Sequence, residues 1–493
     1  MSRLCAVLVA LCLGVVALVG CGSASGSGPE TAGSETAGSE RVGRAAAGSA
    51  SGGDPYFPAD GNGGYDVRHY KILDTYRPGS DRLRGVTVLR ATAHRNLSAL
   101  NLDLVLAVDE VRVNGRPAAF RKPSRHELTV VPDRPLDAGE RFRVRVSYHG
   151  RPSARSASGL EPGRDLYFRR AGETVAIGEP QIGPWWFAAN ETPTDKATYD
   201  IVMRVPQGKQ AVSNGHLVSR RSSAGWTTWH WRMPEPMVTY LAFFAAGRYR
   251  LERGEAGGRP FVHAVSRALT AEDEDRSLRL LRATSGVVSW LESRFGPYPF
   301  SSTGGVVVGL QVGFALENQS RPVYDYSGGP DPYGMGLLVH EQAHQWFGND
   351  VSLRRWRDIW LNEGFATYVE WLYDEDHGRA TVQQHLRNAY ELHGVDSGFW
   401  GLRLSDPGPS RIWREPVYVR GGMTLAALRS RIGETDMDRL LRRWVESRHF
   451  GHGTGQAFRR LASEVSGEDL DGFFAHWLDD TSKPATTAEN GLG

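Results

Sequence analysis

The chain has 493 residues, with 58 basic and 56 acidic residues, a formal net charge of +2, 40% hydrophobic and 23% charged positions. A near-neutral balance without a Lys/Arg block excludes an electrostatic nucleic-acid binder, and the aliphatic and aromatic content excludes a disordered chain. At roughly 100 to 200 residues per domain, the length allows two or three domains.

Residues 1–20 read as a secretory leader, with Arg3 followed by an apolar run from Leu4 to Val19 that is short for a membrane span. The run closes on Leu18-Val19-Gly20-Cys21, which resembles a bacterial lipobox. Cys21 is then the expected lipidated N-terminus and membrane anchor at the extracellular face of the bacterial cell membrane; an ordinary cleaved signal and a secreted protein is the alternative. Cys5 and Cys12 leave with the leader, so no intrachain disulfide is possible and stability rests on packing and any bound metal. Residues 21–63 are expected to be a flexible tether, rich in Gly, Ser and Ala with the near repeat ETAGSETAGSE. The stretch from Gly22 to Asp54 has an r.m.s. reach of about 30 Å.

Residues 64–255 read as an all-β domain. In RFRVRVSYHG, Phe142, Val144, Val146 and Tyr148 alternate on one face, and Asn114-Gly115 between two such runs is a hairpin signal. Trp226 to Leu251 is apolar enough for a buried strand pair. Residues 256–480 read as mainly helical: Glu272 to Gly296 starts with acids, repeats apolar residues at three-to-four spacing and stops at glycine. Met423 to Gly433 and Met437 to Arg448 behave likewise, with a strand-like insert at Gly304 to Gln319 and an expected disordered tail at 481–493.

The stretch LLVHEQAHQWFGND places His340 and His344 four apart, on one helical face, with Glu341 one step round. Two neutral imidazoles and a carboxylate beside the metal-bound water are what an H-E-x-x-H metallopeptidase site requires, although the pattern is only moderately specific. Glu363 in WLNEGFATYVEW is the candidate third ligand, at a helix start expected from Asn362 onward; a surface carboxylate at a helix N-terminus is the alternative. Two histidines, one glutamate and an open fourth position describe a catalytic zinc site, and no cysteine is available for a structural one.

HEQAHQWFGND followed by WLNEGFATY resembles the aminopeptidase N family of zinc metallopeptidases, and YDVRHYKILDTYRP, FAANETPTDKATYDIVMRVP, MVTYLAFFAAGRY and FGPYPFSS resemble it in the same order. The resemblance implies an α+β chain: an N-terminal saddle-like β domain, then a mainly α, thermolysin-like catalytic domain binding one Zn2+ per chain through His340, His344 and Glu363. It implies that Glu341 is the general base and Tyr418, in VYVRGGMTLAALR, the donor to the oxyanion. FALEN matches the family's G-x-M-E-N, with Ala315 and Glu317 as substrate contacts and Glu317 holding the free α-ammonium. Phe314 and Leu316 replace the family's Gly and Met, which changes backbone approach and the first side-chain pocket. Glu179 in GEPQIGPWWF is the second amine anchor, in a stretch where Gly183-Pro184 departs from the family. Glu370, two turns after Glu363, is either an acceptor for a zinc histidine or a solvated charge. The expected protein is a monomeric aminopeptidase acting on peptides with free N-termini. The alternatives are a zinc endo- or oligopeptidase with a relaxed N-terminal requirement, and a retired peptide-binding lipoprotein.

Overall fold

The computed structural model describes residues 45–155, 167–170, 172–326 and 334–493. The leader, Cys21 and the tether through residue 44 lie outside the described residues. The first strands are β1 (Ala46–Ala47), β2 (Tyr65–Arg77), β3 (Arg82–Ala93), β4 (Leu97–Asp103), β5 (Ala107–Val113), β6 (Arg116–Pro117), β7 (Ala119–Arg121), β8 (Glu127–Val131) and β9 (Arg141–Gly150). They are followed by β10 (Tyr167–Arg170), β11 (Glu173–Ala176), β12 (Ala197–Pro206), β13 (Gln210–Ser213), β14 (His216–Ser223), β15 (Trp226–Met237) and β16 (Phe244–Gly247). Eight of them form one sheet in the order β14-β15-β12-β2-β3-β9-β5-β6, and β1-β4-β8-β7 and β10-β11-β16-β13 form two smaller sheets.

The alternation in β9 is realised: Phe142, Val144, Val146 and Tyr148 are buried while Arg141 and Arg143 face water. Asn114 and Gly115 take φ of 51° and 88°, the left-handed pair of a two-residue hairpin, and close β5 onto β6 with Val113 opposite Arg116.

The helical body opens on its own sheet, β17 (Tyr249–Ala256), β18 (Arg259–Ser266), β19 (Thr303–Val308) and β20 (Val323–Asp325). The β17–β18 hairpin pairs Ala256 with Arg259, so a boundary at 255/256 would cut it at its turn. The insert expected over 304–319 is a strand only to Val308; beyond it a single bridge, Leu316 to Val323, holds the chain. The helices are α1 (Ala271–Arg282), α2 (Thr284–Phe295), α3 (Gly334–Ala343), α4 (Trp360–Asp376), α5 (Val382–Leu392), α6 (Glu415–Ile432), α7 (Glu434–Glu446), α8 (Gly455–Ser466) and α9 (Asp471–Phe474). The single helix expected over 272–296 is two: Ala283 N–H bonds to Leu280 O three residues back, a tightened turn that lets each half bury its own apolar stripe.

Two further expectations are corrected. The end of the tether, residues 45–63, belongs to the fold. β1 pairs with β4, Gly48 N–H bonds to Ala99 O at 2.8 Å, and buried Asp54 accepts from Trp356 N at 2.8 Å. Small residues that carry no hydrophobic signal still offer backbone groups to a sheet edge. Residues 481–493 are placed as well: Asn490 is buried, its carbonyl accepts from Trp477 Nε1 at 3.1 Å, and Lys483 donates to Tyr390 O and His393 O. Buried apolar side chains form one cluster from Phe57 to Leu478 across both bodies.

Candidate metal centre

Leu338, Val339 and Ala343 bury α3 in the core, which fixes its rotation and turns His340 and Glu341 toward α4. His344 follows the last helical residue and keeps the helical hydrogen bond to His340 O at 3.2 Å, so the two imidazoles stack on one face. α4 begins at Trp360, two residues before the expected start. Asn362 is therefore inside the helix and buried, not a cap, and Glu363 sits in the first turn.

His340 Nε2 and His344 Nε2 lie 3.3 Å and 3.5 Å from the same atom, Glu363 Oε2. A tetrahedral ion about 2.0–2.1 Å from each ligand would separate its ligand atoms by about 3.3–3.4 Å. Both imidazoles thus already stand at zinc spacing from the carboxylate, and the three ligand atoms lie within 4.8 Å of one another. The remaining ring nitrogens are committed, His340 Nδ1 to Glu370 Oε1 at 2.6 Å and His344 Nδ1 to Phe347 O at 3.1 Å, which leaves both Nε2 lone pairs for the ion. The charges agree. Burial opposes a proton on His344, yet Glu363 and Glu317 raise it to about 9; burial would raise Glu363, yet the two imidazoles draw it down to about 2. The pocket favours positive charge, and the residues fit a Zn2+ ion.

Glu341, Glu317 and His344 also bring ligand-type atoms within 4.8 Å of one another. Glu341 is buried with Oε2 lacking a hydrogen-bond partner among the described residues, and burial, partly offset by the two imidazoles, pushes its carboxyl up to about 8. Glu317 is held through its backbone: Gln345 Nε2 and Asn349 Nδ2 donate to its carbonyl at 3.0 Å and 2.8 Å, while Tyr240 Oη donates to its carboxylate at 3.4 Å. Burial and then the charges of Glu317, Glu179 and Glu363 push the Tyr240 phenol up.

Tyr418 is in the first turn of α6, its ring 6.3 Å from that of His340 at 22°. α6 can approach because Gly364 and Gly421 meet: a Cβ on either would lie 2.7 Å from the other's Cα. Arg420 is fully buried and donates to the carbonyls of Trp400, Leu402, His476 and Asp480, so its work is to tie α6 to the C-terminal segment.

All the candidate residues line one cavity of about 490 Å3: His340, His344 and Glu363 with Glu341, Glu317, Ala315, Glu179 and Tyr418, beside Phe314, Leu316, Leu337, Thr367, Glu370, Trp413 and Val419. Sequence reasoning missed Tyr240, Gln345, Asn349 and Trp413. A hydroxyl inside the apolar run MVTYLAFF, and two amides at the buried end of the zinc helix, were the available signals.

Residues 334–477 match the Peptidase family M1 domain and residues 86–241 the Peptidase M1 N-terminal domain. Aminopeptidase N of Canis lupus familiaris is 27% identical over 50% of this chain and 28% of its own length, and aminopeptidase B of Rattus norvegicus is 25% identical over 74% and 58%. The chain thus spans less than two thirds of these curated relatives. An M1 zinc metallopeptidase from Deinococcus radiodurans, solved as a crystal structure, superposes with a TM-score of 0.77 at 26% identity, covering 88% of this chain and 99% of that one. A mutant of that protein bound to a Tyr-Ser-Ala substrate gives 0.76 at 25% identity, over 89% and 100%. With both bodies of the fold matched by models of one family and the ligand set standing at zinc spacing, the chain belongs to the M1 family of zinc metallopeptidases.

Proposed function

We propose that this protein is a zinc-dependent aminopeptidase that removes N-terminal residues from peptides. The observation that carries the reading is the shared cavity: the donor triad His340, His344 and Glu363 with two further buried carboxylates, Glu341 and Glu317, facing the same space. The names of the relatives, aminopeptidase N and aminopeptidase B, support it.

His340, His344 and Glu363 would hold the ion, which when bound supplies Lewis-acid activation of a water and of the scissile carbonyl. Glu341 takes the proton of the attacking water and passes it to the leaving amine. Tyr418 donates to the oxygen on which negative charge develops. Glu317, its backbone fixed by Gln345 and Asn349, pairs with the α-ammonium of the substrate and sets the distance from amine to scissile carbonyl at one residue. Glu179 and Ala315 line the same cavity and complete the amine and first-residue contacts.

An aminoacyl amide with a free amine should be hydrolysed in a chelator-sensitive reaction, and its N-acetylated form should not. Comparable rates on both would replace the aminopeptidase reading with that of a peptidase indifferent to the N-terminus, and no hydrolysis of either would leave a peptide-binding protein.

For location, the lipobox-like run ending at Cys21 supports a lipid anchor at the outer face of the cell membrane. Cys21→Ala should move the protein from the membrane fraction to the medium; unchanged fractionation excludes the anchor.

A further inference from the structure

A second group of ligand-type side chains, unused by the peptidase chemistry, is buried between β4 and β8. Asp103 ends β4, Glu127 begins β8, and the two are direct cross-strand partners. Like charges set opposite one another on an antiparallel pair repel, and here water does not screen them: Asp103 is 0% and Glu127 5% exposed. His126, beside Glu127, is 9% exposed. One ligand atom from each of the three lies within 4.8 Å of the other two.

The hydrogen bonds leave this space short of donors. Asp103 Oδ2 accepts from Glu191 N at 2.9 Å and Asn62 Nδ2 at 3.0 Å, but Asp103 Oδ1 and Glu127 Oε1 are buried without a hydrogen-bond partner among the described residues. Two observations independent of the acids point the same way. His126 Nε2 gives its proton to Ala59 O at 2.8 Å, which makes Nδ1 the unprotonated ring nitrogen, the state a metal-ligating imidazole requires. Asn62 Oδ1 is also buried and unpartnered; flipping the amide would cost its bond to Asp103, so a neutral oxygen is held close to the same carboxylate.

We propose that Asp103, His126 and Glu127 bind a second divalent ion, Zn2+ or Mn2+, with Asn62 Oδ1 as a further oxygen donor. An imidazole among carboxylates suits these ions better than Mg2+ or Ca2+. The ion is structural, since its ligands join the 59–62 segment to β4 and β8 and none lines the peptidase cavity.

The test counts ions with the first centre removed. Full-length protein carrying His344→Ala and Glu363→Gln is stripped with a chelator and dialysed against Zn2+ or Mn2+; metal per chain and melting temperature are then measured. One ion per chain and a rise in melting temperature on metal addition are expected. In the otherwise unaltered chain, Glu127→Gln should lower the content from two ions to one while turnover of an aminoacyl amide is retained. Saturation of the unaltered chain at one ion, no ion in the double variant, or equal content with and without Glu127→Gln overturns the proposal. A chain that holds two ions yet hydrolyses nothing would sink the peptidase reading alone.

Discussion

Asn349 Nδ2 donates to the main-chain carbonyl of Glu317 across 2.8 Å. A residue five positions after the second zinc histidine thereby fixes the backbone of the carboxylate assigned to the substrate amine, and Gln345 adds a second bond at 3.0 Å. Asn349→Ala should raise KM for free-amine substrates several-fold with kcat less affected, and cost about 1–2 kcal/mol of stability. Steady-state kinetics with chemical denaturation checks both; an unchanged KM would detach Asn349 from amine recognition.

Glu341→Gln removes the proton acceptor but not an ion ligand. Turnover should fall by about 10³-fold or more while zinc content, measured by elemental analysis, stays at the unaltered level. A variant that keeps most of its activity would take Glu341 out of the proton-transfer role.

Glu370 holds His340 through Nδ1 at 2.6 Å. Its removal frees the imidazole to rotate, so Glu370→Ala should weaken zinc binding about 10- to 100-fold in a chelator competition. An unchanged affinity would make the contact incidental.

The Gly364–Gly421 crossing lets α6 carry Tyr418 to the cavity beside His340. Gly364→Ala must push the helices apart, and a kcat loss greater than any loss in zinc affinity is expected. The activity and metal titrations of one preparation decide it; loss of zinc alone would show that the strain falls on Glu363 instead.

His452 is drawn down to about 4 from an ordinary 6.5 by burial and then by Lys196 and Arg354. The folded state therefore favours the neutral ring. That preference is fully present above pH 6.5 and is lost as pH falls toward 4, where the unfolded chain binds a proton that the folded chain resists. Between those limits His452→Asn should lose less stability than the unaltered protein, by ~2 kcal/mol after discounting for partial exposure. Parallel Tm-against-pH curves for the two would reject this.

Local rules were sufficient wherever one element decides its own geometry. The spacing of His340 and His344 puts both rings on one helical face whatever surrounds them, the alternation in β9 selects its buried face, and Asn114-Gly115 closes its hairpin through the backbone alone. Spacing after His344 singled out Glu363, and family resemblance Glu317, Glu179 and Tyr418, but not how they meet. Their convergence depends on the bare crossing at Gly364 and Gly421, on α4 starting at Trp360, and on amide donors reaching Glu317 from the end of the zinc helix. The ordering of residues 45–63 and 481–493, and the meeting of Asp103, His126 and Glu127, have the same origin. Periodicity and capping report contacts a few residues apart, whereas these groups are joined by strand pairing, desolvation and helix packing across long sequence separations, and such contacts leave no local trace in the order of the amino acids.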